Sequence, residues 1–511
     1  MGEGNRERIG PGLRLFILLI CGLVVFLCFA LLVSMALNPK LTIAYNTKGA
    51  TYSGPLTWLG RWLNLGGLSA TGRHALYILL MVFLNLAYFA AAFLARKDRR
   101  ISTTVLIAGG FLLFSLLFLF IPPLLSRDIY SYTFYGRAMT VHHANPFLAK
   151  PISYPRDVIY PFVGWKETAS VYGPLFNYLS FIVCRVAGNN IPANVLGFKV
   201  LSFFFYAASL PLVYAISRRV SPGRENLALV IAAWNPILLL HIIGGGHNDP
   251  VMFFFALLGF YLYRRDYPVW GLVSMVLAVM VKMTAALALL PYLVFFLRDQ
   301  RGKVVPRILE SAAAVVVIPL LFYFPFWKGF SIFNATSKVL GMSSSSSIPT
   351  LAKDVLTRLL SAIGLAKTTA GSLSTSLAHV FFLGLFVAIT LALLWKVRDY
   401  RSMVFSTAGI FLAWILTSSY LLPWYLAIGI MVCAVAGWNA TTACTIAASS
   451  LFTLYKVPTT PTTHLLLHQG GKAKPLLYLS IPLAVILIAW LILGKPFSGL
   501  RWVKAGREIT R

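Results

Sequence analysis

The sequence predicts an all-α, polytopic transmembrane bundle of about 14 crossings whose outer-face loops carry short amphipathic helices. Three observations predict it. Only 11% of the 511 residues are charged and 59% are hydrophobic, whereas a soluble globular chain carries roughly 25% charged residues. Apolar stretches of about 20 residues recur from Leu13 to Leu493, the length that a hydrocarbon core of about 30 Å demands of a helix satisfying its own backbone. The short basic clusters also fall on alternate connections, as the positive-inside rule requires.

The first span, Leu13–Ala36, follows Arg6, Arg8 and Arg14. It exceeds the roughly 7–15-residue core of a secretory signal, and Ser-Met-Ala-Leu-Asn-Pro is a poor cleavage site, so it reads as a retained helix. Further spans are predicted at Ala75–Leu94, Thr103–Leu125, Leu196–Ile216, Leu227–Ile243, Pro250–Tyr263, Val269–Val281 and Ala285–Leu297. They continue at Ser311–Pro325, Leu377–Trp395, Met403–Tyr420, Trp424–Ala436, Thr442–Leu454 and Leu476–Leu493.

With the N-terminus inside, 24 of the 44 Lys and Arg residues lie in segments 1–14, 96–100, 218–224, 264–265, 298–307, 396–401 and 495–511. The rest lie in long outer loops or near helix ends. This pattern predicts a multi-pass plasma-membrane protein with both termini cytoplasmic. It also accounts for the formal charge of +30 through anionic headgroups, and nothing in the chain resembles a nucleic-acid-binding module. The five cysteines lie in or beside apolar spans and suggest neither a disulfide framework nor a zinc site.

The whole chain, 1–511, reads as a single transmembrane domain with two large outer loops, 126–192 and 327–376. Loops that long in a compact protein carry function or are disordered. The first has amphipathic stretches at Tyr130–His142 and Tyr172–Val186, which predict short helices along the interface. The second holds the serine run Ser343–Ser347, read as a mobile linker, and then a helix over Ile348–Ile363.

Outer-side acids are few: Asp128, Asp157, Glu167, Asp249 and Asp354. Asp128 stands just past a predicted helix end, where partial desolvation makes a carboxylate a better base. The same position suits an interfacial ion pair with Arg127 or a helix N-cap. Arg137 follows nine residues later, about two and a half turns, so on one helix the two share a face. An arginine there can meet a phosphate or snorkel to lipid headgroups.

The second constellation is Gly244-Gly245-Gly246-His247-Asn248-Asp249-Pro250. Its glycines let the backbone approach a ligand closely, and a tight turn has no need of His, Asn and Asp together. Lys282 interrupts an apolar region and is a functional candidate by default, with either a lipid phosphate or Asp249 as its countercharge. Ser418–Tyr425 ends in Pro423-Trp424-Tyr425, which serves an aromatic belt or a binding surface.

In this order, these segments resemble the GT-C superfamily of membrane glycosyltransferases. They are most similar to bacterial polyprenol-phosphate-mannose-dependent α-1,6-mannosyltransferases of mycobacteria and their relatives. The resemblance rests on Arg127-Asp128-Ile129-Tyr130-Ser131-Tyr132 with Gly136, Asn145-Pro146-Phe147, Tyr172-Gly173-Pro174-Leu175, Trp234-Asn235-Pro236, Gly245–Asp249, Val281-Lys282 and Pro423-Trp424-Tyr425. It covers residues 100 to 430, and two additional predicted crossings precede Asp128.

The resemblance implies an inverting transfer of a sugar, mannose by this likeness, from a polyprenyl-phosphate donor to a glycan or glycolipid acceptor on the outer membrane face. It implies Asp128 as the base, Arg137, His247 and Lys282 as donor-phosphate ligands, and Tyr132, Asn145, Tyr172, Asn248, Asp249, Trp424 and Tyr425 as substrate contacts. No metal ligand is assigned. The acidic loop has one aspartate in place of an Asp-Asp or Glu-Asp pair, so no cofactor is certain and divalent-metal dependence stays open. A lipid or lipid-linked-sugar flippase would also use Lys282 and glycine breaks, but the chain shows no repeat symmetry. An O-antigen-ligase-type transferase is the other alternative.

Overall fold

The structure, a computed structural model, describes residues 10–37, 56, 69–299, 304–344 and 347–455. Among these residues the protein is helical without a strand; an isolated bridge joins Lys328 and Phe330. Among the described residues, seven helices are long and apolar enough to cross a membrane, and further apolar helices are shorter. The expected span Leu476–Leu493 lies outside the described residues.

Helices α1 (Pro11–Leu37), α2 (Ala70–Ala95) and α3 (Ile101–Leu119) realise the first three expected spans. At about 1.5 Å per residue each is long enough, or nearly so, for a hydrocarbon core of about 30 Å. α2 begins where the Ser69 hydroxyl accepts the Gly72 amide at 3.0 Å. α1 packs against both neighbours, burying Val25, Phe29 and Val33.

The loop expected on the outer side, 126–192, folds into α4 (Asp128–Thr140) and α5 (Pro174–Ala187), joined by an irregular segment. α5 has the expected one-sided burial, through Phe176, Asn177, Ser180 and Cys184. α4 does not lie half-exposed at the interface: every residue from Asp128 to Ala138 is buried. Periodicity along α4 could not show this, because α5 and the intervening loop cover the face that a lone helix would leave wet.

α6 (Ile191–Val220) is a long span, capped by Asn190, whose side chain accepts the Ala193 amide. α7 (Glu225–Ala233) ends at Trp234, and a π-helical turn follows over Leu238–Ile243, so the expected span Leu227–Ile243 is broken. Pro236 has no N–H to continue the ladder. Asn235 fills the gap: its Oδ1 accepts the Ile237 amide at 3.1 Å, and its Nδ2 reaches Tyr88 and Ser449 at 3.3 and 3.2 Å. This inner segment is buried throughout, with the Trp234 indole donating to the Ile107 carbonyl.

α8 (Asp249–Arg264) and α9 (Pro268–Val281) form a packed hairpin, and α10 (Ala286–Arg298) follows a break at Lys282, whose backbone is extended. Beyond come α11 (Val304–Tyr323), α12 (Asn334–Leu340), α13 (Ile348–Ala362) and α14 (Lys367–Trp395). The set closes with α15 (Tyr400–Thr417), α16 (Leu426–Ala436) and α17 (Ala440–Tyr455). α11 and α14 expose nearly all of their apolar length, as lipid-facing helices do. In the serine run, Ser344 is docked: its amide donates to the Ser419 carbonyl at 2.8 Å, and its hydroxyl accepts the Leu421 amide.

Candidate functional site

The site forms where four breaks in helical structure meet. Asp128 is the first residue of α4, one position past the cap at Arg127. The Ser126 hydroxyl accepts its amide at 3.1 Å. The Asp128 carboxylate receives the Trp165 indole N–H at 3.3 Å and lies 3.8 Å from His247 Nδ1. Its side chain is 12% exposed, so it is sheltered while still reachable.

Tyr132 lies one turn further along α4, and its hydroxyl is 3.3 Å from His247 Nδ1. The Tyr132 ring meets Tyr172 edge-on, with centroids 5.0 Å apart. Burial, with the neighbouring Tyr132 and the Asp128 charge, pushes the Tyr172 phenol well above its ordinary range. It is therefore a neutral hydrogen-bonding group. Tyr172 is placed by Gly173, whose amide donates to the Val281 carbonyl at 2.9 Å. A Cβ on Gly173 would lie 2.0 Å from the Met280 carbonyl oxygen, so only glycine lets the loop touch the end of α9.

The Gly-rich segment supplies the next face. Gly246 has φ +68°, a left-handed conformation that glycine adopts without a Cβ penalty. The turn aims His247 at Asp128 and stacks its ring on Trp424, with centroids 4.1 Å apart and 24° between planes. Asn248 is 3% exposed, and among the described residues neither its amide nitrogen nor its oxygen has a partner. Asp249 Oδ1 accepts Lys282 Nζ at 2.8 Å, while Oδ2 has no hydrogen-bond donor among the described residues. Lys282 also sits 4.6 Å over the Tyr425 ring. Of the two countercharges considered for Lys282, the structure supplies Asp249.

The structure thus gathers Asp128, Tyr132, Tyr172, His247, Asn248, Asp249, Lys282, Trp424 and Tyr425. Arg137 and Asn145 have other partners. Arg137 is 3% exposed and donates to both oxygens of Asp157, at 2.9 and 3.1 Å, as well as to the Gly188 carbonyl and Asn189. Asp157 also meets His142 at 2.6 Å. Burial would raise the Asp157 carboxyl, but hydrogen bonds from Arg137, the Ile159 amide and His142, with the Arg137 charge, hold it below the ordinary range. Asn145 bonds the Phe326 carbonyl at 2.7 Å and so ties its loop to the end of the apolar span Val305–Phe326. Trp165 was invisible to sequence reasoning, since it lies in an irregular loop without a motif or period.

Chemically, the site offers a sheltered carboxylate beside an imidazole, an ammonium held by a second carboxylate, unpartnered amide and carboxylate atoms, and aromatic walls. Such a set can take a proton from a hydroxyl, hold an anion and orient a polyol. Among the described residues, no three His, Cys, Asp or Glu side chains are grouped as a metal ion would need.

A family model described as alpha-(1->6)-mannopyranosyltransferase, N-terminal domain, matches residues 40–298. Among named relatives, the chain is 26% identical over 332 residues to alpha-(1->6)-mannopyranosyltransferase A of Corynebacterium glutamicum, covering 60% of this chain and 66% of that protein. It is 29% identical over 320 residues to alpha-(1->6)-mannopyranosyltransferase A of Mycobacterium tuberculosis, covering 59% of this chain and 60% of that protein. A third relative, alpha-(1->6)-mannopyranosyltransferase B of C. glutamicum, is 28% identical over 150 residues, covering 28% of this chain and 24% of that protein. The chain therefore spans less than two thirds of the length of these relatives.

Proposed function

Because the chain belongs to the alpha-(1->6)-mannopyranosyltransferase family, we propose that it is an inverting glycosyltransferase moving mannose from a polyprenyl-phosphate donor to a glycan or glycolipid acceptor. The reaction takes place on the outer face of the plasma membrane. The observation that carries this reading is the convergence of Asp128, His247 and the Asp249–Lys282 pair from three distant segments.

The donor's polyprenyl chain rests in the bilayer and its phosphosugar reaches the site at the outer surface. The acceptor hydroxyl oxygen attacks the anomeric carbon from the side opposite the phosphate. A new C–O bond forms as the sugar–phosphate C–O bond breaks, and the leaving polyprenyl phosphate keeps the bonding pair. Asp128 takes the hydroxyl proton. One base with in-line displacement inverts the anomeric centre, as in inverting glycosidases.

His247 and Lys282 lie where they can meet charge growing on the phosphate, and preorganised donors of this kind lower the barrier most. Asn248, Asp249 Oδ2 and Tyr172 offer hydrogen bonds to sugar hydroxyls, while Trp424 and Tyr425 offer apolar faces. Arg137 serves the fold of the outer loop by holding Asp157, and Asn145 joins that loop to the end of the span Val305–Phe326.

The test is mannose transfer from a synthetic polyprenyl-phosphate mannose by the purified full-length protein, alongside Asp128→Asn. Loss of a general base is worth about 10²–10⁴-fold. The expected outcome is transfer by the parent and at least a roughly hundredfold lower kcat in the folded variant. Equal rates would remove Asp128 as base; no transfer by the parent from any such donor would remove the activity.

A further inference from the structure

We propose that Lys199 is a positioning residue: with Ser202, it holds the backbone carrying Asp128 in register with the backbone carrying His247. The inference deepens the reading of that site as a transferase centre and rests on it for its kinetic consequence. Lys199 lies on α6, within an expected membrane span, and its side chain is fully buried. Ionisable groups at such positions are costly and mark function by default.

Its partners are backbone carbonyls. Nζ donates to Phe118 at 2.7 Å, Ile121 at 2.8 Å and Pro122 at 3.4 Å. Its nitrogen is thus held by two short contacts and one longer one, all to main-chain oxygens. They belong to the end of α3 and the turn after it, where carbonyls lack helical partners and carry partial negative charge. Six residues beyond Pro122 comes Asp128. The same turn contains Leu125 at φ +59°, a left-handed conformation uncommon for a side chain of that size. Such a conformation persists only where its surroundings over-determine it.

One turn along α6, the Ser202 hydroxyl bonds the Ile242 carbonyl at 3.2 Å and the His247 carbonyl at 2.9 Å. The two turns also touch directly: the Leu124 amide donates to the Gly244 carbonyl at 3.0 Å. A Cβ on Gly246 would meet Ile129 at 2.5 Å and the Lys199 stem at 3.3 Å. α6 therefore presents one residue to each half of the site, setting the 3.8 Å approach of His247 to Asp128.

The experiment uses purified full-length Lys199→Met, which keeps the stem and removes the donors, together with Ser202→Ala. Transfer kinetics are read beside amide hydrogen exchange. A misplacement of about 1 Å can cost about 10²-fold in rate, so kcat for Lys199→Met should fall by at least roughly tenfold with donor KM within about twofold. Exchange should quicken at 120–129 and 242–248 while α15 and α16 keep parental protection. A folded Lys199→Met variant with parental kcat, or with quickened exchange spread evenly over the chain, overturns the proposal. If Lys199→Met does not fold, Ser202→Ala decides by the same two readouts, its exchange change confined to 242–248. If the parent transfers no sugar, the exchange pattern alone tests the register claim, so failure of the activity is told apart from failure of the clamp.

Discussion

At the scale of single residues, the Asp249–Lys282 pair decides most. Its side chains are 1% and 11% exposed, and removing one partner of a buried pair costs about 3–5 kcal/mol because the other charge is stranded. Lys282→Met is therefore expected to lower the thermal unfolding midpoint sharply. The double variant Lys282→Met/Asp249→Asn should recover much of that midpoint while leaving transfer at the low rate of the single variant. Full recovery of transfer would mean that the ammonium is not needed once its partner is neutral. The lysine and the aspartate were each legible in the sequence, since charges in apolar surroundings stand out. Their pairing was one of two readings, because 33 residues and a helical hairpin separate them, and the structure decides for it over a lipid phosphate.

At the scale of elements, the first large loop is a fitted cover for α4. Asp157→Asn leaves Arg137 buried without its carboxylate, and a cost of about 3–5 kcal/mol is expected in thermal unfolding. The sign with pH follows from the lowered Asp157 carboxyl. Its contribution is fully present above the ordinary value of about 3.9 and is lost as pH falls through the lowered one. The parent's unfolding midpoint should accordingly fall in that acid range, and Asp157→Asn should flatten this part of the profile. Gly173→Ala tests the seam with α9: with its Cβ 2.0 Å from a carbonyl oxygen, the loop must shift. Overpacking costs about 1–3 kcal/mol, and kcat should drop alongside. Amphipathic stretches placed these elements in the sequence, and Pro174 opens α5 two residues into the second of them. The full burial of α4 and the partnering of Arg137 by Asp157 were hidden, since both depend on a loop that has no period to read.

At the scale of the whole molecule, hydropathy located the long spans well because each must bury apolar length in lipid. It could not see the break at Asn235-Pro236 as an assembled joint, whose partners Tyr88 and Ser449 come from α2 and α17. Nor did it single out Lys199, whose acceptors are main-chain atoms that any sequence possesses. The sidedness read from charge is open to a direct check. A cysteine replacing Arg156 should react with a membrane-impermeant thiol reagent added to intact cells, and one replacing Lys97 only after lysis. The reverse pattern would invert the topology.

The spacing of Lys199 from its acceptors bears on how the protein is built. A ribosome makes Phe118, Ile121 and Pro122 some 77 to 81 residues before Lys199. When α6 emerges, the oxygens that will receive its lysine nitrogen already exist, so this helix can enter the bilayer towards a waiting berth. Asp249 has the same history at a later point in the chain, since its lysine is also synthesised after it. The order of translation thus makes the α3–α6 clamp the earlier joint and the Asp249–Lys282 pair the later one. The half of the site carrying Asp128 can be anchored before the other half is complete.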